Sequence, residues 1–107
     1  MPVTLDVGVQ GLPEQIELAA YFIVSESLTN ANKYAGASAV EIRVAPEAHA
    51  VLVEIVDDGR GGADPASGTG LRGLADRIEA LDGHLEVDSP PGTGTRISAR
   101  LPLSTLG

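Results

Sequence analysis

The chain has 107 residues, a formal net charge of −8, no cysteine, and only three aromatic side chains, Tyr21, Phe22 and Tyr34. That length supports one domain with a real core, residues 1–107, and leaves no room for a second. The lack of cysteine excludes a disulfide framework and thiolate chemistry, and the acidic balance excludes nucleic acid, whose binding rests on neutralising phosphates with Lys and Arg. A phosphate-bearing ligand of such a chain is expected to be small and to arrive with a metal ion. No apolar window is long enough to span a bilayer and no signal peptide is visible, so the expectation is a soluble, cytoplasmic domain without membrane contact.

In chain order, residues 3 to 9, VTLDVGV, alternate apolar and polar residues as a strand does. GLPEQ follows, with Pro13 suited to a first helical turn and Glu14 to the positive end of the helix dipole. Ile16, Ala20, Ile23, Val24, Leu28, Ala31 and Ala35 keep helical spacing, and Gly36 is a natural stop. SAVEIRVAP and AVLVEIVDD alternate as two strands of a hairpin, with PEAHA as the turn. Gly59 to Gly70 is rich in Gly, Pro and Ser without periodicity and reads as a loop. LRGLADRIEALDG reads as a second helix ending at Gly83; HLEVDS, a PPGTG turn and TRISARLPL make a closing hairpin. The expected class is α+β, a layer of helices on a largely antiparallel sheet.

Within the first helix Glu26, Asn30 and Lys33 fall within about 60° of one another, at the rim of the apolar arc. A carboxylate and an amide oxygen suit a hard cation such as Mg2+, which takes few protein ligands. Lys33, the sole lysine, suits a phosphate as a flexible point charge. Taken alone, the row also fits a solvated helix flank with an i, i+4 polar pair.

EIVDDGRGG closes an apolar strand. By alternation Asp57 shares the face of Ile55 and Val53, so a carboxylate points inward, where it needs a donor. An adenine amino group would serve, and Gly59 and Gly61 would let the backbone approach a flat base; a plain Asp-Gly turn is the alternative. GTGLRGL puts Gly68 and Gly70 before a helix start, where freed amides and the dipole attract anions. It matches the dinucleotide fingerprint in letters but not in context, because a loop with Pro65 intervenes and the order of elements is not βαβ; no P-loop exists. PPGTGT reads as a turn through Gly92 and Gly94, with Thr95 able to offer its hydroxyl inward. His49 and His84 read as structural or solvated.

Together, in order and spacing, these segments resemble the ATP-binding catalytic domain of sensor histidine kinases, in the superfamily that also holds DNA gyrase, the ninety-kilodalton heat-shock chaperones and the mismatch-repair ATPases. ESLTNANKYA is similar to the family's N box, DDGRGG to its DxGxG box, GTGLRGL to its GxGLxxL box, and PPGTGTRISARLPL to its closing strands. LADRIEALDGHLEVDSPPGTGT is especially similar to the subgroup of nitrate and nitrite sensors. The resemblance implies a two-layer α/β sandwich, the Bergerat ATP-binding fold, with helices on one face of a mixed, mostly antiparallel sheet. It implies Mg2+ on Asn30, Glu26 beside the metal or ordering a water, Lys33 on a phosphate, and Asp57 on the adenine amino group with Thr95 nearby or bridged by water. Gly59 and Gly61 would line the base pocket, while Gly68, Gly70 and Leu71 would bring the lid and its helix start onto the phosphates, where Arg72 could add charge. The sequence departs from many histidine kinases in having no phenylalanine box and a short lid.

The resemblance further implies a fragment of a longer kinase. Its γ-phosphoryl acceptor, a histidine, would stand on a separate N-terminal dimerisation domain, through which a response regulator is served. An anti-sigma-type serine kinase is the alternative within the superfamily, and a nucleotide-binding module without catalysis the alternative outside catalysis. A gyrase-like hydrolase is disfavoured by length.

Overall fold

The alternating stretches form a five-stranded sheet in the computed structural model, which describes residues 3–8, 11–33, 38–59, 71–92 and 94–103, without the side chains of residues 30–33 and Leu71. The elements are β1 (Val3–Val7), α1 (Glu14–Lys33), β2 (Val40–Glu47), β3 (Ala50–Asp57), α2 (Leu71–Glu79), β4 (His84–Asp88) and β5 (Thr95–Pro102). The sheet order is β1-β2-β3-β5-β4. β1 pairs with β2 in parallel, and the other three pairings are antiparallel. This is the expected α+β class: a mixed, mostly antiparallel sheet with two helices.

Strand directions follow from those pairings. β1, β2 and β5 run one way, β3 and β4 the other. The chain therefore contains two crossovers between strands of like direction: β1–α1–β2, and β3–α2–β4 with β5 inserted between its strands. The expectation that the element order is not βαβ is corrected to that extent. What separates the fold from a dinucleotide fold is the antiparallel β5 and the intervening segment ahead of α2, not an absence of crossovers.

One face of the sheet is apolar and covered. Val40, Ile42 and Val44 of β2, Val51, Val53 and Ile55 of β3, and Ile97, Ala99 and Leu101 of β5 are buried, and they meet Ile16, Ala19 and Ile23 of α1 and Leu74 and Ile78 of α2. Each large aliphatic side chain so buried contributes about 1.5–3 kcal/mol of transfer free energy. The opposite face carries Glu41, Arg43, Arg96 and Arg100, all exposed, with Arg100 Nε donating to Glu47 Oε1 at 2.8 Å. α1 buries its stripe at Ile16, Ala19, Ile23 and Ser27, while Ala20, Val24 and Leu28 are half-buried at its margin. The Pro13 carbonyl accepts the first helical bond, from Glu17 N–H at 2.9 Å, and Glu14 and Glu17 stand in the acidic first turn. The helices are also joined where the Arg77 guanidinium lies 4.0 Å over the Phe22 ring.

Three boundaries differ from the sequence reading. The hairpin turn is only Ala48 and His49, so Pro46 and Glu47 belong to β2 and Ala50 to β3. His49 takes φ 57° there. Pro46 is tolerated because it lies beyond Val44, the last β2 residue paired with β1, where the strand has a neighbour on one side only. α2 ends its regular turns at Glu79 and closes with Gly83 N–H on the Ile78 carbonyl and Asp82 N–H on the Glu79 carbonyl. In that closure Asp82, not Gly83, is the left-handed residue, at φ 61°. Gly83 is demanded by proximity instead, since a Cβ on it would lie 2.6 Å from the Arg100 carbonyl oxygen. β1 stops at Val7 and its apolar residues stay exposed, because it is the sheet's parallel edge. Gly36 lies outside the described residues. No helix among the described residues is long and apolar enough to cross a membrane.

Candidate functional site

The alternation that buries Val51, Val53 and Ile55 carries through to Asp57, which ends β3 on the covered face at 8% exposure. Its Oδ1 accepts the Gly59 N–H at 2.8 Å, a turn in which Asp bonds to the backbone two residues on. Directly across the sheet stands Thr95, the first residue of β5, at 6% exposure. Its Oγ1 lies 2.6 Å from Ser89 Oγ, at the end of β4. A carboxylate and a hydroxyl therefore sit side by side at one end of the buried face, where opposed side chains are about 5 Å apart.

Gly94 is what allows this corner to close. It has φ 86°, and a Cβ built on it would run into the Asp57 carbonyl oxygen, backbone against backbone. Gly92, at φ 84°, has nothing within 4 Å of the same construction. Only the second of the two turn glycines is thus pressed against the site.

Asp58 faces the other way and is exposed. It accepts from the Ser38 hydroxyl at 2.6 Å, the Ser38 amide at 2.7 Å and the Ala39 amide at 3.0 Å. The Ser38 hydroxyl and then the two amides hold its carboxyl below the ordinary aspartate range. Asp58 thereby ties the strand end that carries Asp57 to the segment entering β2. Sequence reading assigned it no role, because its partners lie 19 and 20 positions away in the chain.

On α1, Glu26 is half-buried at the border of the apolar stripe. Asn30 follows one turn later and Lys33 is the last helical residue; their side chains lie outside the description. A carboxylate and an amide oxygen one turn apart fit a Mg2+ ion that keeps most of its waters. Among the described residues no three His, Cys, Asp or Glu side chains converge, so a cation here would rest on few protein oxygens. Gly61, Gly68 and Gly70 are outside the described residues. Leu71 opens α2, and Arg72 is exposed in its first turn.

Topology brings the described pieces to one end of the molecule. Because β1 and β2 are parallel, α1 must run back against them, so Asn30 and Lys33 lie at the end where β2 begins. Val40 there pairs with Asp57, and Asp57 with Thr95. α2 joins the end of β3 to the start of β4, so Leu71 and Arg72 lie at that same end. His84, paired with Arg100, lies at the far end of the sheet, and so does His49, in the β2–β3 turn.

The described residues thus form a helix-backed mixed sheet with an inward acid at one strand end and the last turn of α1 at that same end. Residues 15–105 match the family described as histidine kinase-, DNA gyrase B-, and HSP90-like ATPase, and the chain belongs to that family. It is 33% identical over 96 residues to the signal transduction histidine-protein kinase/phosphatase DegS of Brevibacillus brevis, covering 87% of this chain and 25% of the relative. It is 33% identical over 99 residues to the oxygen sensor histidine kinase NreB of Staphylococcus carnosus, covering 89% of this chain and 28% of that protein. The chain therefore spans about a quarter of the length of these curated relatives. Among solved structures, the histidine kinase domain of the Erythrobacter litoralis EL346 blue-light activated histidine kinase superposes with a TM-score of 0.83 at 28% identity, over 96% of this chain and 52% of that one. The Acinetobacter baumannii histidine kinase AdeS, at 20% identity and a TM-score of 0.75 over 96% of this chain and 54% of its own, shares the fold.

Proposed function

We propose that this chain is the ATP-binding catalytic part of a sensor histidine kinase, holding Mg-ATP between α1 and the Asp57 end of the sheet. Its γ-phosphoryl passes to a histidine on a separate dimerisation domain, and from there to a response regulator. The carrying observation is the buried Asp57–Thr95 pair at the sheet end to which topology also brings Asn30 and Lys33. Both curated relatives are named histidine kinases, which favours this reading over a serine kinase of the anti-sigma type.

The roles follow from the chemistry of each group. With Oδ1 engaged by Gly59, Asp57 offers Oδ2 to the adenine amino group, and Thr95 meets the neighbouring ring nitrogen. Asn30 would hold the cation, with Glu26 beside it or ordering one of its waters; when bound, Mg2+ would neutralise phosphate charge. Lys33 and Arg72 add positive charge, and Gly68, Gly70 and the Leu71 helix start cradle the phosphates. Phosphoryl transfer depends mainly on such positioning and neutralisation. The two histidines are unsuited as acceptors here: His49 sits in the β2–β3 turn, and His84 is paired with Glu86 at 3.4 Å, at the end of the sheet away from Asp57.

Calorimetry with Mg-ADP tests the cleft. Asp57→Asn removes a charge-assisted bond and should weaken binding at least about tenfold, and Asn30→Ala should remove the dependence of binding on magnesium. Unchanged affinity in Asp57→Asn refutes the adenine role. Incubation with labelled ATP should leave the chain unlabelled at both histidines.

A further inference from the structure

Ser89 was given no ligand-binding role above, yet its hydroxyl is the partner of Thr95. We infer that Ser89 is a positioning residue that sets the direction of the Thr95 hydroxyl and, through it, the preference for an adenine edge. This deepens the proposed nucleotide site and rests on that reading.

The 2.6 Å separation of Ser89 Oγ and Thr95 Oγ1 is at the short end of the range for a hydroxyl–hydroxyl bond. One of the two must donate, and each has a single proton. If Thr95 donated to Ser89, it could only accept from a ligand, which suits a ring N–H as in guanine. Beside it, Asp57 can only accept, and so calls for a 6-amino group. A purine with a 6-amino donor presents an acceptor at N1. The two requirements agree when Ser89 donates to Thr95 and the Thr95 proton points to N1.

The frame around Ser89 keeps that geometry. Ser89 leaves β4 directly after Asp88 and precedes Pro90 and Pro91, and a residue before proline is confined to extended backbone. On the other side Gly94, which precedes Thr95, is pressed against Asp57. Thr95, β-branched and paired with Asp57, has few side-chain rotamers of its own.

The test compares affinities of ADP and 1-deaza-ADP, whose N1 is replaced by CH, for the unsubstituted 107-residue chain, Ser89→Ala and Ser89→Thr. Ser89→Ala should weaken ADP about three- to tenfold and 1-deaza-ADP less than about twofold, since the analogue lacks the acceptor that Thr95 would lose. Ser89→Thr should restore ADP affinity. Urea midpoints of the three proteins identify any loss that comes from unfolding. Equal weakening of both nucleotides in folded Ser89→Ala, or no weakening of either, overturns the assignment while leaving the adenine site standing. Failure of the unsubstituted chain to bind ADP overturns both.

Discussion

Replacing Gly94 by alanine isolates the contact that closes the Asp57 corner, and Gly92→Ala supplies the control. Both glycines have nearly the same φ, 86° and 84°, so both substitutions cost about 1–2 kcal/mol for placing an L side chain in left-handed backbone. Gly92 has open space beyond that. At Gly94 the new Cβ meets the Asp57 carbonyl oxygen, and no rotamer change relieves a backbone collision. The β3–β5 ladder must open at the Asp57–Thr95 pair, with the loss of about one hydrogen bond, roughly 1 kcal/mol or somewhat more. Gly94→Ala should therefore lose about 2–4 kcal/mol in urea unfolding, about 1–2 kcal/mol more than Gly92→Ala, at similar denaturant dependence. It should also weaken Mg-ADP, which Gly92→Ala should not. Equal losses from the two substitutions would refute the claim that the close approach, rather than the turn conformation, makes Gly94 necessary.

Asp58 makes stability depend on pH with a definite sign. Its folded pKa is depressed by Ser38 and Ala39, so its contribution is complete above the unfolded aspartate value, about 4, and is lost as pH falls through the lower folded value. The gap in urea midpoint between the unsubstituted chain and Asp58→Asn should be constant near neutrality and shrink below about pH 4; a gap that widens with acid contradicts the assignment. Ser27, at 2% exposure, has a buried hydroxyl without a hydrogen-bond partner among the described residues. Ser27→Ala should then be neutral or stabilising by up to about 1 kcal/mol, and a loss larger than that in thermal or urea melts would show that the hydroxyl is satisfied in solution.

Much of this was legible in the residues. The helical spacing from Ile16 to Leu28 marked α1, and the unbroken alternation of β3 placed Asp57 on the inner face by parity alone. Less legible was anything that depends on which segments meet. The alternating VTLDV marks a strand but not whether a helix covers it, and Val3, Leu5 and Val7 remain 47%, 64% and 54% exposed on the edge. Gly92 and Gly94 look alike in PPGTG, and only the β3–β5 register sets one of them against Asp57. Ser89 and Asp58 had no local signal, because the partner that defines each is supplied by a neighbouring element.

The residues by themselves determined the succession of helices and strands and which side chains of each share a face, since both follow from local periodicity and hydrophobicity. The tertiary structure decided the neighbours: the parallel β1–β2 pairing that brings the end of α1 to the start of β2, the register that sets Thr95 against Asp57, and the close approach that requires Gly94. Period fixes the direction of a side chain from its own backbone, whereas partners across a sheet are chosen by the packing of the whole chain.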